Sequence, residues 1–125
     1  MSRQNISSGY GFEDVYGYSR AVRVGNQVLV SGTTARAPQL GGDAYVQAKA
    51  ALAMIAEALA KAGAGMQHVV RTVVYVIDMA DIEHVARAHS EVFDQIRPVS
   101  TLVQVSALTP ASARVEIEAT AIICD

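Results

Sequence analysis

Cysteine is nearly absent from this chain of 125 residues: with Cys124 alone, neither an intrachain disulfide nor a cysteine-built zinc site can form. No base near Cys124 in sequence would activate it as a nucleophile. Histidines are few, and His68, His84 and His89 share no i, i+4 spacing, so no metal is expected. Long apolar runs are missing too. None approaches the roughly 20 residues of a bilayer-spanning helix, which argues against a membrane partner. Charge of one sign is also lacking, at a net −2. Without a Lys/Arg cluster or an aromatic-interleaved basic stripe, nucleic acid is not an expected partner. There is no Gly-x-Ser-x-Gly elbow for a serine hydrolase, and Gly41-Gly42 is too little for a phosphate loop. Met1 to Phe12 carries no apolar core of a secretory signal, so the expected compartment is cytoplasmic.

What remains is a globular composition, 51% apolar and 18% charged, sized for one domain over residues 1–125. The apolar share is slightly rich for so small a monomer and hints at a buried oligomer interface.

The first strong pattern is Val22-Arg23-Val24, then Gly25-Asn26, then Val28-Leu29-Val30, which predicts a hairpin with a tight turn. Asp43 is placed to cap a helix running to about Ala62. Its stripe is Ala48, Ala51, Leu52, Ile55, Leu59 and Ala62, and Gly63 and Gly65 end it. Val69 to Ile77 is dense in β-branched residues and predicts a strand. Asp81 is expected to cap a second helix with Ile82, Val85, Val92, Phe93 and Ile96 as its stripe, stopped by Pro98. His89 falls on that stripe and reads as a hydrogen-bonded core or interface histidine. Two strands close the chain, Thr101 to Leu108 and Arg114 to Cys124. In the second, Val115, Ile117, Ala119, Ala121 and Ile123 alternate with polar residues. The expected order is β-β-α-β-α-β-β, an α+β domain with two helices on one face of a mixed sheet. The sheet's other face then calls for a partner.

Four motifs occur in order along the chain: Gly17-Tyr18-Ser19-Arg20-Ala21-Val22, Val30-Ser31-Gly32, Arg97-Pro98 with Ser100-Thr101, and Val115-Glu116-Ile117-Glu118-Ala119. Singly weak, together they resemble the YjgF/RidA family. The resemblance implies a chorismate-mutase-like homotrimer with small-molecule clefts between subunits. It also implies a cofactor-free hydrolase, a deaminase that converts reactive enamines and imines to 2-keto acids and ammonia.

By the same resemblance, Tyr18 is a pocket tyrosine, Ser31 and Gly32 contact the ligand, and Glu116 handles water or a proton. The deaminase branch carries an arginine that anchors the substrate carboxylate, with a cysteine two residues on. Ser100 and Leu102 stand at those positions here and are candidates for substrate binding, Ser100 by a hydrogen bond to a neutral ligand, but serine cannot reproduce the arginine's bidentate fork. The chain therefore resembles branches that lack this arginine, to which the resemblance assigns no particular substrate. Arg20, two residues from Tyr18, is expected on the same strand face and is a candidate for binding an anionic group. Arg97 is a second candidate, although a helix C-terminus already favours a cation there. Phe12 and Glu13 are candidates for the cleft rim. A charged strand face shared with Arg114 and Glu118 would explain Glu116 equally well. A non-catalytic, metabolite-binding or protein-interaction trimer is the alternative function.

Overall fold

Strict alternation in one strand organises the molecule. Val115, Ile117, Ala119 and Ala121 are all buried, while the residues between them are half-buried on the opposite side. In the computed structural model, which describes residues 2–124, this strand lies inside a six-stranded sheet. The expected single-domain span thus runs one residue past the description at each end. The strands are β1 (Arg3–Ile6), β2 (Ala21–Val24), β3 (Gln27–Thr33), β4 (Val69–Val76), β5 (Val99–Gln104) and β6 (Val115–Ile122), in the order β1-β2-β3-β6-β4-β5. The β4–β5 pair is parallel and all others are antiparallel, so the sheet is mixed.

The hairpin forms where expected. Gly25 adopts φ +61° at the first position of the tight turn, a conformation that costs glycine little. Helix α2 (Ala44–Lys61) starts at Asp43, whose side chain accepts from the Val46 amide at 2.9 Å. It lays Ala48, Ala51, Leu52, Ile55 and Leu59 over β3 and β6. Alanine at several contact positions lets the helix approach the sheet closely, and the branched residues fill the remainder. Helix α3 (Ile82–Phe93) packs beside α2 through buried Val85, Ala88 and Phe93. His89 is half-buried here and bonds Thr72 of β4, with 2.9 Å between Nε2 and Oγ1. No helix among the described residues is long and apolar enough to cross a membrane.

Four expectations are corrected. First, β1 and a short helix α1 (Gly11–Tyr16) precede the hairpin, so the order is β-α-β-β-α-β-α-β-β. Arg3-Gln4-Asn5-Ile6 buries only Ile6 and has no alternation to read; pairing with β2 makes it a strand. The six residues of α1 are too few to be stable alone and depend on tertiary contacts. Second, Asp81 does not cap α3. Its carboxylate accepts from Arg114 at 2.8 and 2.9 Å, and α3 instead grows out of a 3-10 turn capped by Asp78. Third, Ile82 is 40% exposed and Ile96 lies beyond the helix end, so the buried stripe is shorter than expected. Fourth, β5 spans Val99–Gln104 rather than Thr101 to Leu108. It starts directly after Pro98 and stops where its partner β4 ends at Val76.

Two substitutions rank the forces in this fold. Leu59→Ala, at a site with no exposure, is expected to cost about 2–5 kcal/mol in urea unfolding. Loss of the cap in Asp43→Ala should cost about 1 kcal/mol. Equal losses at the two positions would contradict the packing described here.

Candidate functional site

The site begins at an irregularity. Between Val30 and Thr33 the β3–β6 register shifts, and Ser31 and Gly32 occupy the break. Gly32 lies hard against Glu116: a Cβ there would fall 2.9 Å from Glu116 Oε2. A side chain at position 32 would therefore displace the carboxylate. The Ser31 hydroxyl donates to the Ser19 carbonyl at 2.7 Å and holds the segment carrying Tyr18 and Arg20 against β3.

Arg20 is 2% exposed. Its Nη1 donates to the Gly32 carbonyl and to Thr33 Oγ1, both at 2.8 Å, and its Nη2 donates to the Tyr18 hydroxyl at 2.9 Å. Nε lies 3.9 Å from Glu13 Oε2. Arg20 and Tyr18 meet through this hydrogen bond and not through strand alternation, since both precede β2. Glu13, buried on α1, also accepts from the Ser7 hydroxyl at 2.9 Å and from both the amide and the hydroxyl of Ser8. Burial pushes its pKa up, but the bonds from Ser8 and Ser7 and the charge of Arg20 outweigh this and leave it lowered.

These residues wall a cleft of about 440 Å³. Tyr18, Arg20, Ser31, Gly32 and Glu116 all line it, and so does Phe12. Glu13 sits behind the wall rather than on the rim. Sequence reasoning missed Tyr10, Tyr16, Arg36 and Tyr75, and it gave Glu118 only a structural part; all five line the cleft. Tyr75 alternates with buried Val74 and Val76 on β4, a pattern that could have placed it on the site face. Tyr10, Tyr16 and Arg36 lie outside the strands and carry no such signal.

Ser100 and Leu102 lie elsewhere. They face Thr72 and Val74 in register, on the helix side of the sheet, and line a separate depression with His89, Phe93 and Arg97. Thr72 Oγ1 donates to Ser100 Oγ at 2.7 Å, so that hydroxyl already has a protein partner. Within one chain these two residues do not join Tyr18 and Glu116, because strand pleating sends the two sets to opposite faces. Arg97 is an exposed residue with φ +58°, paired with Asp94 at 3.0 Å. No cluster of three or more metal-ligating side chains occurs among the described residues.

The electrostatics separate the two glutamates. Burial raises the pKa of Glu116, with the Glu118 charge adding to the effect and Arg20 opposing it. Glu118 instead accepts from the Tyr75 hydroxyl at 2.6 Å. That hydrogen bond, with burial and the two carboxylate charges, pushes Tyr75 up to about 12. Tyr75 thus stays a donor at neutral pH, whereas Glu116 is a partly desolvated carboxyl suited to exchanging protons.

Known proteins share this framework. A family model described as endoribonuclease L-PSP matches residues 12–123. An uncharacterized protein of Streptomyces coelicolor is 38% identical over 118 residues, covering 92% of this chain and 88% of its own. The human 2-iminobutanoate/2-iminopropanoate deaminase is 36% identical over 126 residues, covering 98% of this chain and 91% of its own. Among solved structures, Mycobacterium tuberculosis Rv2704, a member of the YjgF/YER057c/UK114 family, matches with a TM-score of 0.92 and 45% identity, covering 98% of this chain and 100% of that one.

The raised pKa of Glu116 fixes the sign of a stability effect. The folded state binds this proton more tightly than the unfolded chain. The resulting stability is full below the ordinary value of 4.5 and is lost as pH rises through the raised folded value. Glu116→Gln should therefore raise the thermal midpoint at pH 8, with the gain fading as pH falls toward 4.5. Calorimetry across that range checks it, and a pH-independent difference would contradict the assignment.

Proposed function

The chain belongs to the YjgF/RidA family, and from that premise we propose that it is a cofactor-free hydrolase of small imines or enamines. The observation that carries this reading is Glu116, a carboxyl of raised pKa on the cleft wall beside Gly32, facing the side to which Arg20 holds Tyr18. In its acid form Glu116 protonates the imine nitrogen, which makes the adjacent carbon electrophilic. As a carboxylate it then takes a proton from the attacking water. Glu116 then returns that proton to the amino group, ammonia leaves, and the hydroxyl proton passes back to the carboxylate as the carbonyl forms, so imine and water balance against ketone and ammonia. The Tyr18 hydroxyl, oriented by Arg20, donates to the ligand, and Ser31 and Gly32 shape the floor on which it rests.

The working unit in this proposal is a homotrimer in which a second copy closes each cleft. What supports this is the placement of Ser100 and Leu102 on the opposite face from Tyr18 and Glu116, so that one chain cannot join them. The nuclease description attached to the family model is not adopted, because a net charge of −2 does not favour a polyanion.

One observation favours a second reading, a metabolite-binding trimer without turnover. Ser100 stands where the resemblance puts a carboxylate-anchoring arginine, and its hydroxyl is bonded to Thr72. The same assay separates the two readings. Imines generated in situ, with and without a carboxylate, are followed for ammonia and ketone by mass spectrometry. Turnover is expected, with kcat reduced about 10²–10⁴-fold in Glu116→Gln. Gly32→Ala, which crowds the same carboxylate, should lower kcat as well. Saturable thermal stabilisation without turnover across the panel would replace the hydrolase by the binder.

A further inference from the structure

Two buried side-chain nitrogens lack a hydrogen-bond partner among the described residues, Arg20 Nε and Arg36 Nη2. The first faces Glu13 at 3.9 Å. The second faces no acid, since no carboxylate among the described residues lies within ion-pair distance of Arg36. Arg36 follows β3, half-buried. Its Nη1 donates to the Thr34 carbonyl at 2.8 Å and to Thr34 Oγ1 at 3.3 Å, and its guanidinium lies over the Tyr10 ring at 3.6 Å from the centroid. Burial and the charge of Arg20 weaken its hold on its proton, and Tyr10, Tyr18 and the charge of Glu13, which lies beyond ion-pair distance, oppose this only in part. Arg20 is the poorer anchor for a ligand anion. Its whole side chain is 2% exposed and three of its hydrogen bonds run to the protein, whereas Arg36 is only half-buried, with Nη2 its covered nitrogen.

The wall beside these cations is aromatic. Phe12 and Tyr16 stack with centroids 5.8 Å apart and planes 6° apart, and both meet Tyr18 edge-on. Yet Phe12 is 41% exposed and Tyr16 75% exposed. Bare aromatic surface next to an unpaired guanidinium, in a cleft of about 440 Å³, matches a ligand with a flat apolar body and one anionic end. A singly charged planar carboxylate suits the Nη2 edge of this guanidinium, since Thr34 already holds Nη1. Glu116 and Glu118 line the same cleft and would repel a dianion such as phosphate more strongly.

We propose that Arg36 anchors the carboxylate of an aryl-substituted 2-oxo or 2-imino acid, whose ring lies against Phe12, Tyr16 and Tyr18. This rests on the reading of the cleft as the ligand site and names its substrate class. The anchoring cation then comes from the same chain as Tyr18 and Glu116.

The test is calorimetric binding to the intact protein of three probes: phenylpyruvate, its neutral methyl ester, and pyruvate. Phenylpyruvate is expected to bind saturably, and the ester and pyruvate at least tenfold more weakly. Arg36→Gln should weaken phenylpyruvate by roughly tenfold to a hundredfold while leaving the ester unchanged. Arg36→Lys keeps the charge without the fork and should fall between wild type and Arg36→Gln. Phe12→Ala should weaken phenylpyruvate and not pyruvate. The proposal is overturned if no probe binds, if pyruvate binds as tightly as phenylpyruvate, or if Arg36→Gln spares the acid. It is also overturned if that variant weakens acid and ester alike, which would make Arg36 a prop for Tyr10. Binding is read without turnover. A protein that passes this test and hydrolyses no imine loses the hydrolase reading alone. One that hydrolyses only neutral imines and fails this test loses only the anchor.

Discussion

The arrangement of the site depends on one buried cation. Removing the Arg20 guanidinium from water carries a penalty of roughly several kcal/mol, which only well-placed acceptors and a counter-charge can offset. Those acceptors come from separate parts of the chain: the Gly32 carbonyl and Thr33 hydroxyl of β3, the Tyr18 hydroxyl, and, at longer range, Glu13 of α1. The Arg20 backbone adds two more ties, donating to the Ile6 carbonyl at 2.8 Å and accepting from the Ser31 amide at 2.9 Å. Through its guanidinium and its backbone together, Arg20 thus draws β1, α1 and the break in β3 into a fixed relation. Glu13 matters for the same reason. Its bonds to Ser7 and Ser8 pull the loop before α1 inward, so the short helix is held by charge as much as by its own backbone.

The same strand serves packing and chemistry because a strand has two faces. On β6, Val115, Ile117, Ala119 and Ala121 meet α2, and Glu116 and Glu118 stand on the reverse side. Pleating makes this inexpensive: the apolar set fixes the register, and the register fixes the carboxylates. Tyr75 on β4 is opposite Glu116 in the ladder and bonds Glu118 diagonally. A slip of one residue would bury both glutamates under α2, so core packing also protects the site.

How much of this the sequence revealed follows from the range of each interaction. The hairpin around Gly25-Asn26, the Asp43 cap and the alternation of β6 are local patterns, and they were legible. Tyr18, Ser31, Gly32 and Glu116 were found through a resemblance carried by short motifs. Asp81 misled because its residue type suits a cap, while Arg114, 33 positions away, offered its carboxylate a better partner. Ser100 and Leu102 were grouped with Tyr18 by motif, and only the parallel register with Thr72 and Val74 shows which way they point. Arg36 belongs to no periodic element, and its meaning appears only once Tyr10 and the cleft surround it.

Charge distribution gives the cleft a direction. Arg36 follows β3 and the Arg20 guanidinium bonds the end of β3 at Gly32 and Thr33, whereas Glu116, Glu118 and Tyr75 belong to the adjoining strands. Glu13 offsets Arg20 from behind the wall, and Tyr75 occupies Glu118 with a hydrogen bond. What stays uncompensated is one guanidinium among the β3-side groups and one partly desolvated carboxyl on β6. A ligand with an anion and, on the adjoining carbon, a basic nitrogen would answer both. The anion neutralises Arg36 and the nitrogen exchanges a proton with Glu116. A neutral ligand would leave the guanidinium unpaired, and a dianion would meet two carboxylates. The groups left unsatisfied in the cleft therefore favour a single negative charge next to a protonatable atom, a demand that a 2-imino acid meets in full and a 2-oxo acid meets at Arg36 alone.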